Sequence, residues 1–240
     1  MKIVTLSSGS QGNCYLLKTD TETLILDCGI PMKDIKIGLD FDLSKVVGAI
    51  VSHGHQDHVK SAEDFKKIGI PVWQPYLDER TFQKKQFGRF GVQTFELTTL
   101  SGEWTHTNAD GSQCPCYGFL ISHPDMGKML YITDTELIKW RFNGINHILL
   151  GVNYDKELVD RDNSVKANHV FRGHLSIDTA CEFIKANNKN LETVIMCHLS
   201  NENSDPAKFK EKIQDVTDAD VYVARTGLKI ELKKKGECPF

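Results

Sequence analysis

The chain is predicted to be an α/β protein in which two packed sheets are covered on their outer sides by helices. Three observations lead there. Short apolar runs of strand character outnumber helical segments, and the helices recur at intervals along the chain. The chain opens on strands separated only by turn residues. No linker, low-complexity segment or helix-pair repeat interrupts residues 1–240, so a single domain is expected.

Taken in order, Ile3 to Leu6, Tyr15 to Lys18 and Thr23 to Asp27 form a β-meander, parted by Ser7 to Asn13 and by Asp20-Thr21-Glu22. Pro31 starts a helix at the position where its missing N–H costs nothing, and a polar-apolar mixture carries it through Leu39. Val47 to Ser52 is the next strand. Ser61, with Asp64 three residues on, is a good N-cap, and Gly69 is a left-handed C-cap. Pro71 to Trp73 reads as a strand and Leu77 to Gln86 as an exposed helix. Lys84 and Lys85 on that helix and Arg89 in its loop are read as a solvated face, and as the first place to look for a strand-guiding surface. Val92 to Leu97, Tyr117 to Ser122 and Lys128 to Thr133 are strands, with a polar loop from Thr107 to Cys116. The second half alternates: strand His147 to Leu150, helix Ser176 to Asn187, strand Thr193 to Cys197, helix Pro206 to Gln214 capped by Asp205, then strands Val221 to Ala224 and Leu228 to Leu232.

Composition narrows the class. Apolar residues make up 40% of the chain, enough for a substantial core, and a net charge of −3 gives no strongly basic field. Seven cysteines, odd in number and scattered, argue for reduced thiols and a cytosolic setting. The apolar run at Ile3 to Leu6 is too short for a signal peptide, and Cys238, followed only by Pro239 and Phe240, falls one residue short of a prenylation box, so no membrane association is expected.

The chemistry gathers at His53-Gly54-His55-Gln56-Asp57-His58, immediately after the apolar run Val46 to Val51. Neutral imidazole and carboxylate together suit zinc or a similar first-row ion, and the end of a strand is a rigid platform for them. His53 and His55 share one side of an extended turn while Asp57 and His58 fall further along, an arrangement for two ions held side by side. More donors must come from other strand ends. Asp134 ends the apolar run Leu130 to Thr133 and has two readings, the cap of a helix from Glu136 to Trp140 or a carboxylate bridging two ions. His198 follows Val194 to Cys197 in the same strand-then-ligand pattern. His174, just before the Ser176 cap, and His106 are each equally open to a structural and a functional role. His147 and His169 read as structural or solvated, and His123, ahead of Pro124, as a surface residue. Cys114-Pro115-Cys116 reads as a turn and Lys233-Lys234-Lys235 as a solvated strand end.

These residues resemble a known family. The run His53-x-His55-x-Asp57-His58 is similar to the signature of the metallo-β-lactamase fold, with Asp134 and His198 in the order that fold requires. Ser7-Ser8-Gly9-Ser10-Gln11-Gly12-Asn13-Cys14, Cys116-Tyr117-Gly118-Phe119, Ile132-Thr133-Asp134-Thr135, Asn153-Tyr154-Asp155, Gly173-His174-Leu175-Ser176 and His198-Leu199-Ser200 resemble its YycJ (WalJ) branch, near tRNase Z. The resemblance implies an αββα sandwich of two mixed sheets over residues 1–240, with the metals at one edge between the sheets. It implies His53, His55 and His106 on one ion, Asp57, His58 and His198 on the other, and Asp134 between them. Zinc is the expected metal, with manganese or iron as alternatives. Asp57 and His174 are the expected catalytic residues, His174 helping to protonate the leaving group.

Two departures stand out. The insertion Asn108 to Gln113 after His106 leaves Asp110 as a substitute ligand, and Gly151 occupies the place where the relatives carry a Glu that would orient His174. The function expected is a dinuclear phosphodiesterase or nuclease acting on DNA or RNA through a metal-bridging hydroxide. The alternatives are a hydrolase of a small thioester, lactone or lactam on the same metals, which requires an apolar pocket, and a non-catalytic binding module.

Overall fold

The computed structural model describes residues 1–78, 83–108, 110–160 and 170–233. Two sheets pack face to face. The first comprises β1 (Lys2–Ser7), β2 (Cys14–Lys18), β3 (Thr23–Leu26), β4 (Val46–Ile50), β5 (Val72–Trp73) and β13 (Lys229–Glu231), in the order β13-β1-β2-β3-β4-β5. The second comprises β6 (Lys84–Phe87), β7 (Phe90–Glu96), β8 (Tyr117–His123), β9 (Gly127–Ile132), β10 (His147–Gly151), β11 (Thr193–Cys197) and β12 (Asp220–Val223), in the order β12-β11-β10-β9-β8-β7-β6. Each sheet is mixed. β3, β4 and β5 run parallel, as do β9, β10, β11 and β12, while the hairpin-connected strands pair antiparallel.

Both faces of the central strands are buried, which is why they read as unbroken apolar runs. In β11, Ile195 and Cys197 join the core between the sheets, with Trp73, Phe119 and Tyr131. Val194 and Met196 face outward against α4 (Ile177–Ala186) and α5 (Pro206–Gln214), where Ala180, Ile184, Phe209 and Ile213 are buried. On the first sheet Val4, Leu16 and Ile25 pack outward on Ile35 of α1 (Met32–Gly38) and Phe65 of α3 (Ala62–Lys67). The αββα layering expected from the resemblance is therefore the observed one.

The helix ends follow the sequence where a side-chain oxygen can reach. Asp205 accepts from the N–H groups of Ala207 and Lys208, and Ser176 from that of Thr179. Gly69 takes φ +82°, as a left-handed C-cap requires. Ser61 departs from expectation: its hydroxyl donates to the Ile30 carbonyl at 2.6 Å, tying α3 to the segment between β3 and α1 instead of capping.

The predicted helix Leu77 to Gln86 is not formed. Residues 79–82 lie outside the described residues; before them Pro75–Leu77 makes a single 3₁₀ turn, and after them β6 pairs with β7 through a tight turn at Gly88. Lys84 and Lys85 thus sit on an edge strand and Arg89 in a hairpin. An edge strand carries charge to discourage further pairing, and such a composition imitates an exposed helix. No helix covers Glu136 to Trp140, which removes the capping reading of Asp134. His123 is buried, not superficial, with Nε2 3.1 Å from Glu22 Oε1. His147 is structural, its Nε2 donating to the Met126 carbonyl. His169, Lys234, Lys235 and Cys238 lie outside the described residues.

Candidate metal centre

The carboxyl ends of the parallel strands in both sheets meet at one edge of the sandwich. β4 leads into Ser52-His53, and His55 begins α2 (Gln56–Val59), one helical turn bearing Asp57 and His58. The expected extended turn is thus partly helical. Asp134 stands two residues after β9, His198 with φ +52° directly after β11, and the loop between β7 and β8 supplies His106. Gly29 allows this packing, because a Cβ there would lie 1.7 Å from the Asp57 carbonyl oxygen. The backbone of α2 rests directly on the segment after β3.

All seven residues expected as ligands come together, as two groups: His53, His55 and His106, and Asp57, His58, Asp134 and His198. Within each group one donor atom per residue lies within 4.8 Å of the others. In the first, His106 Nε2 is 3.0 Å from His55 Nδ1. In the second, Asp57 Oδ2 lies 3.3 Å from His58 Nε2 and 3.4 Å from His198 Nε2. Asp134 joins the groups through one oxygen, Oδ2, which is 3.5 Å from His53 Nε2 and 3.2 Å from His58 Nε2. Its other oxygen is 3.2 Å from His174 Nδ1. Asp110 is exposed, its carboxylate accepting from the N–H and hydroxyl of Ser112, so it does not take the place of His106.

Does this arrangement fit metal ions? His53 Nε2 is buried without a hydrogen-bond partner while facing a carboxylate, and such an orphan costs about 1–3 kcal/mol unless something binds it. Burial pushes the His106 ring down to about 3, and burial with the neighbouring His58 pushes His53 well below the ordinary imidazole value. Both are neutral near pH 7 and keep a lone pair, as metal ligation requires. Burial would raise the two carboxylates, but the surrounding histidines outweigh it and hold Asp57 and Asp134 below the usual range. Burial would likewise lower His58, yet Asp27, Asp134 and Asp57 together hold it protonated above the ordinary value. That proton is the one a cation at Nε2 would replace.

Several supporting residues lie outside the expected ligand set. Asp27, fully buried with φ +52°, accepts from the Ser52 N–H at 2.8 Å and from the Tyr131 hydroxyl at 2.5 Å, and its Oδ2 lies 2.5 Å from His58 Nδ1. It fixes the His58 ring so that Nε2 faces the other donors, the role of a carboxylate behind a metal-binding histidine. Asn108, at the start of the insertion, holds His55 Nε2 at 3.0 Å through Oδ1 and leaves Nδ1 toward His106. Ser8 accepts from the His198 N–H, and Asn153 donates to the His198 carbonyl at 2.9 Å. The signal for Asp27 was present: a carboxylate ending an apolar strand, as at Asp134.

Gly151 has a structural cause. Its Cβ would come within 2.7 Å of the Thr133 carbonyl and 3.1 Å of Thr133 Cα, next to Asp134. Any side chain there would press on the backbone that leads into Asp134.

Fold and paired donor groups together define a metal-dependent hydrolase with a dinuclear site. Residues 8–165 match the Metallo-beta-lactamase superfamily, and the chain belongs to it. It is 28% identical over 176 residues to "Exodeoxyribonuclease YycJ" of Bacillus anthracis, a match covering 64% of this chain and 63% of that protein, just under two thirds of its length. It is 25% identical over 231 residues to "Exodeoxyribonuclease WalJ" of Streptococcus pneumoniae, covering 83% of this chain and 81% of that one. The crystal structure of human tRNase Z, short form, superposes with a TM-score of 0.57 at 13% identity, over 97% of this chain and 99% of the other.

Proposed function

We propose that the chain is a phosphodiesterase acting on nucleic acid, with His53, His55 and His106 on one ion, Asp57, His58 and His198 on the second, and Asp134 spanning both. The observation that carries this reading is His174, an imidazole outside both donor groups yet held at the carboxylate that joins them, 3.2 Å from Asp134 Oδ1. Hydrolysis of a phosphodiester expels an alkoxide, which needs a proton at the moment the bond breaks. His174 supplies it, through Nε2, since Nδ1 faces Asp134 Oδ1. Two divalent ions, when bound, supply the Lewis acidity that activates water and offsets charge developing on the phosphate; zinc is the proposed metal. The remaining work falls to the protein. Asp57, 26% exposed in its side chain and the most open of its group, is the proposed catalytic carboxylate on the solvent side of the centre. Asp27 and Asn108 keep His58 and His55 in their productive tautomers.

The names of the YycJ and WalJ relatives support a nucleic-acid substrate. A hollow of about 710 Å³ between β1 and α1 contains none of the seven donors, so it offers no apolar pocket for a small acyl substrate at the centre. Residues 1–240 are proposed to act as one domain: β1 pairs with β13, and the donors run from His53 to His198. The six cysteines among the described residues are free thiols and no described helix is long and apolar enough to cross a membrane; we place the protein in the reducing cytoplasm on the thiols.

The deciding experiment compares turnover of single-stranded DNA, RNA and a thioester by metal-loaded protein. Hydrolysis of a nucleic acid, abolished by Asp134→Asn in a folded variant, is expected. Preference for the thioester would overturn the reading.

A further inference from the structure

The helices leave part of the second sheet bare. At the end of β6 to β9 away from the donors, directly paired residues form two transverse rows on one face: Lys84, Gln93 and Leu120, then Gln86, Gly91, Ser122 and Lys128. Residues opposite one another in paired strands share a face. The alternate residues Val92, Ile121 and Met129 point into the core between the sheets, so these rows are on the outside.

Two adjoining hollows of about 480 and 570 Å³ lie over the rows and share Gln86, Gly91, Ser122 and Lys128. Lys84, Lys128 and Arg89 bring cations to them, Lys85 is paired with Val92 and so turns to the other face, and no carboxylate lines either hollow. In a chain of net charge −3 this is a local reversal of sign. Lys85 and Arg89 reach Asp78 at 3.8 Å and Asp125 at 3.5 Å outside the linings, whereas Lys84 and Lys128 make no ion pair among the described residues. Gly91 keeps the floor open, since a Cβ there would meet Ser122 Oγ at 2.7 Å. Between the cations the lining carries neutral donors, the amides of Gln86 and Gln93 and the Ser122 hydroxyl. Cations and neutral donors without carboxylates match a polyanion presenting repeated phosphate oxygens.

The groove is also placed for a long ligand. The Tyr117 N–H donates to the Ser52 carbonyl beside His53, so the Tyr117 end of β8 is the metal end. Ser122 lies five residues further on, about 17 Å along the strand. That separation corresponds to roughly five phosphates of one strand in a B-form helix.

We propose that this groove is a second binding surface for the sugar-phosphate backbone of the nucleic acid cut at the metal centre. The inference rests on the phosphodiesterase reading above, and it adds a length dependence: substrates of fewer than roughly five nucleotides bind at the metals alone.

The test uses the metal-loaded protein and its Lys84→Gln/Lys128→Gln variant, both substitutions at exposed sites. Binding of a nuclease-resistant phosphorothioate single strand of about 30 nucleotides is read by fluorescence anisotropy over a salt series, where each lost phosphate contact lowers the salt slope by about 0.7. The dissociation constant is expected to rise about tenfold near 0.1 M salt and the slope to shrink by about 1.4. Hydrolysis of bis(p-nitrophenyl) phosphate should stay unchanged, and Lys→Arg at both positions should restore binding. Unchanged affinity and slope would overturn the groove, as would an equal loss of polyglutamate binding, which would mark a surface indifferent to the backbone. If the wild type binds the strand through these lysines yet cleaves no phosphodiester, the catalytic reading fails and the groove stands. If it cleaves long strands and the variant does so equally well, the groove alone fails.

Discussion

Replacing Asp27 by Asn should weaken one metal site and spare the other. The substitution keeps the shape of the side chain, and Asn tolerates the left-handed backbone at φ +52°. The amide oxygen must stay on the Ser52 N–H, now 2.8 Å from Oδ1, because only an acceptor can face that donor. The amide NH₂ then takes the place of Oδ2, 2.5 Å from both His58 Nδ1 and the Tyr131 hydroxyl. A donor facing Nδ1 forces the proton of His58 onto Nε2, where it blocks the lone pair. Loss of such a supporting carboxylate costs about 10–100-fold in metal affinity, or roughly 1.4–2.8 kcal/mol. Titrating zinc into metal-free protein against a chromophoric chelator separates the sites. The site of Asp57, His58 and His198 should weaken by that factor while that of His53, His55 and His106 stays as it was. A thermal melt of each protein checks that the Asp27→Asn substitution has left the fold standing, since Tyr131 also loses an acceptor. Unchanged affinity at both sites in a folded variant would refute the role assigned to Asp27.

His106→Ala should leave one of the two ions bound, whereas Asp110→Ala should change neither metal content nor turnover; the reverse pattern in elemental analysis would restore Asp110 as the ligand. Gly151→Ala must push against the Thr133 carbonyl at 2.7 Å; overpacking of this kind costs about 1–3 kcal/mol, and denaturant unfolding together with lower metal content should show it. Burial holds His147 at about 4 against an ordinary 6.5. Between those values the unfolded chain takes up a proton that the folded chain refuses, so stability falls as pH drops through that window, by about 2 kcal/mol for this residue near pH 5. His147→Gln should narrow that loss, seen as a smaller drop in melting temperature between neutral and acid pH than in the wild type.

The layers and most strands were legible because burial on both faces leaves continuous apolar runs, as in Thr193 to Cys197. The donors were legible for a related reason: each charged or imidazole residue that ends such a run stands at the carboxyl edge of a parallel strand, as Asp134 and His198 do. What sequence left open was decided by tertiary contacts. Whether Asp134 capped a helix depended on the path of the chain after it, and the place of His106 depended on the insertion folding back, so that the Cys114 N–H donates to the His106 carbonyl and His106 Nε2 lies beside His55 Nδ1. β6 was missed because an edge strand rich in lysine has no apolar alternation to betray it. Asp27 stands in the same strand-end position as Asp134 but lacks a histidine motif beside it, and only the 2.5 Å approach to His58 reveals its part.

The same edge places the proposed proton donor beside the carboxylate that joins the donor groups. Asp134 uses one oxygen for His53 and His58 and the other for His174, so a single carboxylate both joins the donor groups and orients the proposed acid. A second carboxylate behind His174, which the family resemblance implied at position 151, has no room because the Thr133 backbone fills that space. His174 meets the metal centre at Asp134 Oδ1 and through ring contacts with His106 and His198. His174→Gln separates its two roles, since an amide can still hold Asp134 Oδ1 by a hydrogen bond but cannot give up a proton to a departing oxygen. Loss of a general acid costs about 10²–10⁴-fold in rate, and only where the leaving group needs that proton. Cleavage of a nucleic acid, which expels a sugar alkoxide, should fall by that factor. Hydrolysis of bis(p-nitrophenyl) phosphate, which expels a stable phenolate, should keep most of its rate. An equal loss on both substrates would mean that His174 serves only to position Asp134, and the assignment of the proton donor would fall.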